Sequence, residues 1–146
     1  MTADPVQKRL RDSLYSEAML LADEARSYFD EAGARDTAEL PPVGRVHFSC
    51  EALKVTTRIM HVVAWLLTQR AVDAGEISAV ESRLPARRLG DAPESGAGAS
   101  DGMPDRARAL ILASADLYRR VAHLDRTMDD SPSPARALQE RLARSL

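Results

Sequence analysis

The segment from about Pro42 to Ala74 constrains the fold more than any other part of this chain. Val43, Val46, Cys50, Leu53, Thr57, Met60, Ala64, Leu67 and Ala71 recur at alternating steps of three and four. That is a heptad-like apolar seam, which predicts one long helix packed lengthwise against neighbouring helices. Pro42 suits its first turn and Gly75 its end. The same segment carries a second apolar stripe. Val55, Ile59, Val62 and Leu66 are spaced by four, three and four, and Trp65 lies beside them. A helix apolar nearly all round is either central in its own domain or covered by another chain. Fully burying each such side chain is worth about 1.5–3 kcal/mol, so leaving them in water is a large liability. The expectation is that the first stripe enters the core. The second, Val55, Ile59, Val62, Trp65 and Leu66, then forms a protein interface, closed most simply by a symmetric homodimer. On that reading Val62→Asp gives a folded monomer.

The other segments supply helices for the seam to pack on. Asp4-Pro5 reads as a helix start. From there Val6, Leu10, Leu14, Ala18, Leu21, Ala25 and Tyr28 form a stripe, and Gly33 is the expected stop. A third long helix starts near Pro104 with Ala107, Leu110, Ser114, Leu117, Val121, Leu124 and Met128 on its stripe, and ends before Ser131. Ser78-Ala79-Val80-Glu81 has the spacing of a capping box and predicts a short helix ending before Pro85. Residues 90–103 are small and polar and read as a mobile linker. Leu138, Leu142 and Leu146 are spaced by four among Arg136, Arg141 and Arg144, with Ser133 as a candidate cap. So short an isolated helix is marginal in water, and the tail is expected to order only on binding. The fold class is all-α: three long helices in an antiparallel bundle, with a short helix before the linker. The bundle domain spans 4–130 and a flexible C-terminal tail spans 131–146.

Composition narrows the function classes. A chain of 146 residues buries enough surface to fold without a staple. Its single cysteine, Cys50, excludes an intrachain disulfide and a four-cysteine zinc site. With 20 basic against 22 acidic residues, nothing draws the whole chain to phosphate backbones or anionic lipid. Aromatic residues make up only 4%, which argues against a base-stacking platform. The longest uncharged apolar run, Ile59 to Gln69, is interrupted by His61 and falls short of a membrane helix. The first ten residues lack the apolar core of a secretory signal. The expected location is cytoplasmic, without a membrane partner.

The candidates for chemistry are thin. His47, Cys50 and Glu51 fall at i, i+3 and i+4 and could meet one metal ion, but further ligands are lacking and His61 lies about 21 Å along the helix. Cys50 also belongs to the seam, where a free cysteine acts as a small hydrophobe. No third group or oxyanion loop accompanies a His47–Cys50 pair. Glu17, Glu24 and Glu31 share a face and read as a solvated surface. The glycines of 90–102 lack the lysine and the preceding strand of a phosphate loop. The expectation is no catalytic residue, no metal and no cofactor, hence no enzyme. Arg83, Arg87 and Arg88 form a basic patch that could contact an acidic partner. They could also serve, with the arginine-rich tail, a helical DNA-associated regulator. Nucleic acid is the lesser alternative, since no matching basic cluster occurs elsewhere.

The stretch Ser49 to Val72, SCEALKVTTRIMHVVAWLLTQRAV, followed by Gly75-Glu76-Ile77, is distinctive. It resembles the core signature of the regulator of CtrA degradation family. Weaker matches are Leu14–Phe29, Arg88-Leu89-Gly90, and Leu117-Tyr118 through Val121 to Leu124-Asp125, so the resemblance spans about residues 10–128. It implies a small helical, often dimeric, non-enzymatic adaptor of alphaproteobacteria that helps the ATP-dependent protease ClpXP degrade cell-cycle proteins such as CtrA. The implied partners are ClpXP primed by a response regulator, cargo transcription regulators, and a further cyclic-di-GMP-binding adaptor. Tethering raises the local concentration of cargo without chemistry. The resemblance assigns no partner-binding residue.

Overall fold

A computed structural model of the chain describes residues 5–130 and 134–145. The expected caps Asp4 and Ser133, the stop at Ser131 and the terminal Leu146 lie outside them. The elements in order are α1 (Pro5–Ser27), a π turn (Tyr28–Ala32), α2 (Gly33–Ala38), α3 (Pro42–Asp73), α4 (Ala79–Ser82), a 3₁₀ turn (Pro85–Arg87), α5 (Asp105–Asp130) and α6 (Pro134–Arg144). The described residues contain no strand.

Direction follows from side-chain pairs. Arg11 near the start of α1 meets Asp73 at the end of α3 at 2.9 Å, so these two helices run antiparallel. Arg58 meets Ser114 and Trp65 meets Asp125, so α3 and α5 run the same way. The antiparallel expectation therefore holds for α1 against its neighbours and gives way for α3 with α5. The cause is the long connection after α3, which carries the chain back along the bundle before α5 begins.

Each long helix contributes the face its periodicity demands, with one exception. Leu14, Ala18, Leu21 and Ala25 of α1 and Tyr28 of the π turn are buried, as are Ala107, Leu110, Ile111, Leu117 and Val121 of α5. On α3 the two stripes are exchanged. Phe48, Val55, Ile59, Val62, Trp65 and Leu66 fill the core, and Val62 is only 1% exposed. These residues were expected to form an interface, and that expectation is corrected: within one chain α1 and α5 already cover them. The bulkier stripe, with both aromatic residues of α3, goes inside because it removes the larger apolar area from water.

Gly33 does not end the first helix. Helical backbone continues through it by way of the π turn, and its φ is −60°. A β-carbon there would press on the Tyr28 carbonyl oxygen at 3.0 Å and reach the Phe48 ring at 3.5 Å. The glycine thus permits close approach of Phe48, which stacks edge-on with Phe29. Gly75, with φ +76°, does end α3 as expected. The Ser78 hydroxyl accepts the Glu81 amide at 3.0 Å, the first half of the expected capping box.

Residues 90–103 are a fastened strap, where a mobile linker was expected. Tyr118 donates to the Gly90 carbonyl at 2.7 Å and accepts from the Ala92 amide at 3.2 Å. Arg58 donates to the Pro93 carbonyl and to Ser95. The His47 imidazole meets the Ala99 carbonyl at 2.6 Å. Small residues let the strap lie flat in the groove between α3 and α5, and their composition alone resembles that of a linker. The tail is helical over Pro134–Arg144, the short helix that the leucine spacing predicts, and its Leu138 and Leu142 are exposed.

Candidate functional site

The stripe expected to fill the core forms the most prominent apolar surface instead. Val43 is 83% exposed and Leu53 68%, and Val46, Cys50, Met60 and Leu67 are exposed with them. They keep the alternating three-and-four spacing along nearly the whole of α3, so the helix presents a coiled-coil-type seam to water. Beside it lies an apolar hollow of about 450 Å³, lined by Phe29, Phe48, Ala52, Leu53 and Thr56. A second hollow, of about 300 Å³, shares Phe29 and Thr56 and adds Ile59 and Met60. Seam and hollows together form a largely apolar surface, with Arg26 and Asp30 at the second hollow, of the kind that partner helices cover.

The opposite side of α3 carries a buried polar cluster that fastens the strap. Arg58 is 2% exposed, and its guanidinium donates to Ser114 Oγ at 3.2 Å, Ser95 Oγ at 2.6 Å and the Pro93 carbonyl at 3.2 Å. Ser95 donates in turn to the buried Glu51 carboxylate, which also accepts from Lys54 at 2.9 Å. Burial pulls the Arg58 guanidinium below its ordinary value, opposed by the charges of Glu51 and Glu94. Burial pushes the Glu51 carboxyl up, but hydrogen bonds from Ser95 and Lys54 and the charges of Lys54 and Arg58 outweigh it. The net direction is down. The lowered Glu51 value favours the carboxylate that accepts from Ser95 and Lys54 and so favours the tied strap. This cluster was missed in the sequence, although a signal existed. Glu51, Val55, Arg58, Val62, Trp65 and Gln69 also alternate at four and three, so charged residues sit in register with a core stripe.

The remaining candidates separate. Arg88 is not a free partner contact: its guanidinium grips the Asp125 carboxylate at 2.8 and 3.0 Å, and Asp125 also accepts from the Trp65 indole at 2.9 Å. Arg83 and Arg87 remain exposed. His47 turns to the strap, Glu51 is buried against Ser95, and Cys50 faces outward, so the three do not converge. Among the described residues no group of three His, Cys, Asp or Glu side chains could hold a metal ion. Nor is any helix there long and apolar enough to cross a membrane.

Taken together, these features define an all-α bundle with an exposed apolar seam along α3. A family model described as "Protein of unknown function (DUF1465)" matches residues 2–146. The chain belongs to that family, which is the family of RcdA, the regulator of CtrA degradation. The crystal structure of RcdA from Caulobacter crescentus CB15 is similar at a TM-score of 0.67 and 34% identity, covering 82% of this chain and 90% of that one. No curated protein matches the sequence.

Proposed function

We propose that this chain is a non-enzymatic adaptor in regulated proteolysis, tethering cell-cycle cargo such as CtrA, or a further cyclic-di-GMP-binding adaptor, to the ClpXP protease primed by a response regulator. The observation that carries the reading is the heptad seam of α3, left open by a chain whose core is already complete. A folded domain that keeps such a seam in water needs a partner helix to cover it. We assign self-association to this outer face, Val46, Leu53 and Met60, in place of the buried stripe. A cytoplasmic homodimer then offers two copies of every other surface, and tethering multiplies delivery through local concentration.

The alternative of a DNA-associated regulator is weakened by Arg88, which is committed to Asp125. The test is a reconstituted degradation reaction with the host's ClpXP, ATP, the priming response regulator and a candidate cargo. Faster cargo loss that needs both the primer and this chain supports the reading. No acceleration and no association with the primed protease overturns it.

A further inference from the structure

A separate hollow of about 480 Å³ opens between the first turns of α1 and the last turns of α5. Its floor is apolar: Leu14 is buried, Leu124 half-buried, and Leu10 is 42% exposed. Its rim is cationic. Arg119, Arg120, His123 and Arg126 all lie on it and no acidic residue does. Arg120 is held by Glu17 and Asp116, and Arg119 by Asp116. Arg126 and His123 make no hydrogen bond or ion pair with a described residue. Three guanidinium groups thus ring one apolar hollow, two of them shared with Asp116 and Glu17 on exposed ion pairs and Arg126 without a carboxylate partner among the described residues.

We infer that this hollow docks an acidic, leucine-bearing segment of a protein partner, the leucine entering between Leu10 and Leu124 and a flanking carboxylate meeting Arg126. Charge complementarity chooses the occupant. The chain's own α6 carries Arg136, Arg141 and Arg144 against one Glu140, so the rim repels it. Nucleic acid matches the charge, but the floor offers no aromatic side chain for a base to stack on. An acidic amphipathic segment satisfies floor and rim together, by the helix-in-groove mode of recognition. This inference rests on the adaptor reading for the partner's role, while its binding chemistry is read from the hollow alone.

The test uses the full chain and a short labelled peptide with leucines four residues apart and glutamates between them, followed by fluorescence anisotropy. Controls are the same peptide with serine for leucine, one with lysine for glutamate, and a short DNA duplex. The expected result is saturable binding of the acidic leucine peptide that weakens with salt and falls about tenfold in Arg126→Glu. It should fall comparably in Leu10→Ser, with circular dichroism unchanged in both variants. Absence of saturable binding overturns the proposal. So does equal binding of the lysine peptide, tighter binding of the duplex, or indifference to both variants. Loss of self-association in Arg126→Glu would give the hollow to a second copy and overturn it too. Because no protease is present, failure here is distinguishable from failure of the degradation reaction.

Discussion

The two faces of α3 are built from the same kind of residue and meet opposite fates. The inner face buries Phe48, Val55, Ile59, Val62, Trp65 and Leu66, yet it also buries Glu51, Arg58 and Gln69. The outer face is purer in its heptad pattern, with Val43, Val46, Leu53, Met60 and Leu67 in register, yet it stays in water. The difference is in bulk and in partners. The inner face has the aromatic mass that α1 and α5 can cover, and its charged groups are hydrogen-bonded by a strap that brings Ser95 and a backbone carbonyl to them. A charged residue on a stripe therefore does not remove that stripe from the core. An apolar seam is likewise not assured of burial within its own chain.

The largest expected effect separates the faces directly. Val62→Asp places an unpaired carboxylate in the core and should abolish the cooperative urea transition, whereas Leu53→Asp on the outer face should keep a cooperative transition and lose only the concentration-dependent stability that a dimer adds. Equal effects would erase the distinction between the faces. Next is the buried cluster. Arg58→Met leaves Ser95, Ser114 and the Pro93 carbonyl without their charged donor, and Glu51→Gln takes the carboxylate from Ser95 and Lys54; each should cost about 3 kcal/mol. The double variant should cost clearly less than the sum. Additive losses would show that the two charges are not coupled through Ser95.

A smaller effect belongs to the strap's first contact. A β-carbon at Gly90 would overlap the His61 imidazole, so Gly90→Ala should destabilise by about 1–3 kcal/mol. His61→Ala should relieve that loss. If thermal melts of the double variant match Gly90→Ala alone, the strap does not rest on His61. The smallest effect is in acid. The folded Glu51 carboxyl sits below its ordinary value, so its contribution is fully present above the unfolded value of about 4.3 and is lost as pH falls through the lower folded one. Urea melts over that window should decline more steeply for the natural chain than for Glu51→Gln. Parallel slopes would remove the ionised Glu51 from the account.

Much of this was legible in the residues. The three long helices, the stop at Gly75 and the Ser78 cap follow from spacing and local chemistry. The family follows from Ser49 to Val72. The choice between the α3 stripes was not legible, because periodicity shows that a helix has two apolar sides without showing which one its neighbours reach. The strap was hidden because Gly, Ala and Ser in 90–103 carry no pattern of their own. Its order is imposed by Tyr118, Arg58 and His47 from the helices. Gly33 misled for a related reason: a glycine serves close packing as readily as it ends a helix.

The central claim is that the outer face of α3 is a protein-binding surface on a complete helical fold. Sedimentation equilibrium of the natural chain and of Leu53→Asp tests it most directly. The account predicts a dimer for the natural chain and a monomer of unchanged helicity for the variant. A natural chain that stays monomeric at high concentration, or a variant that stays dimeric, would contradict it.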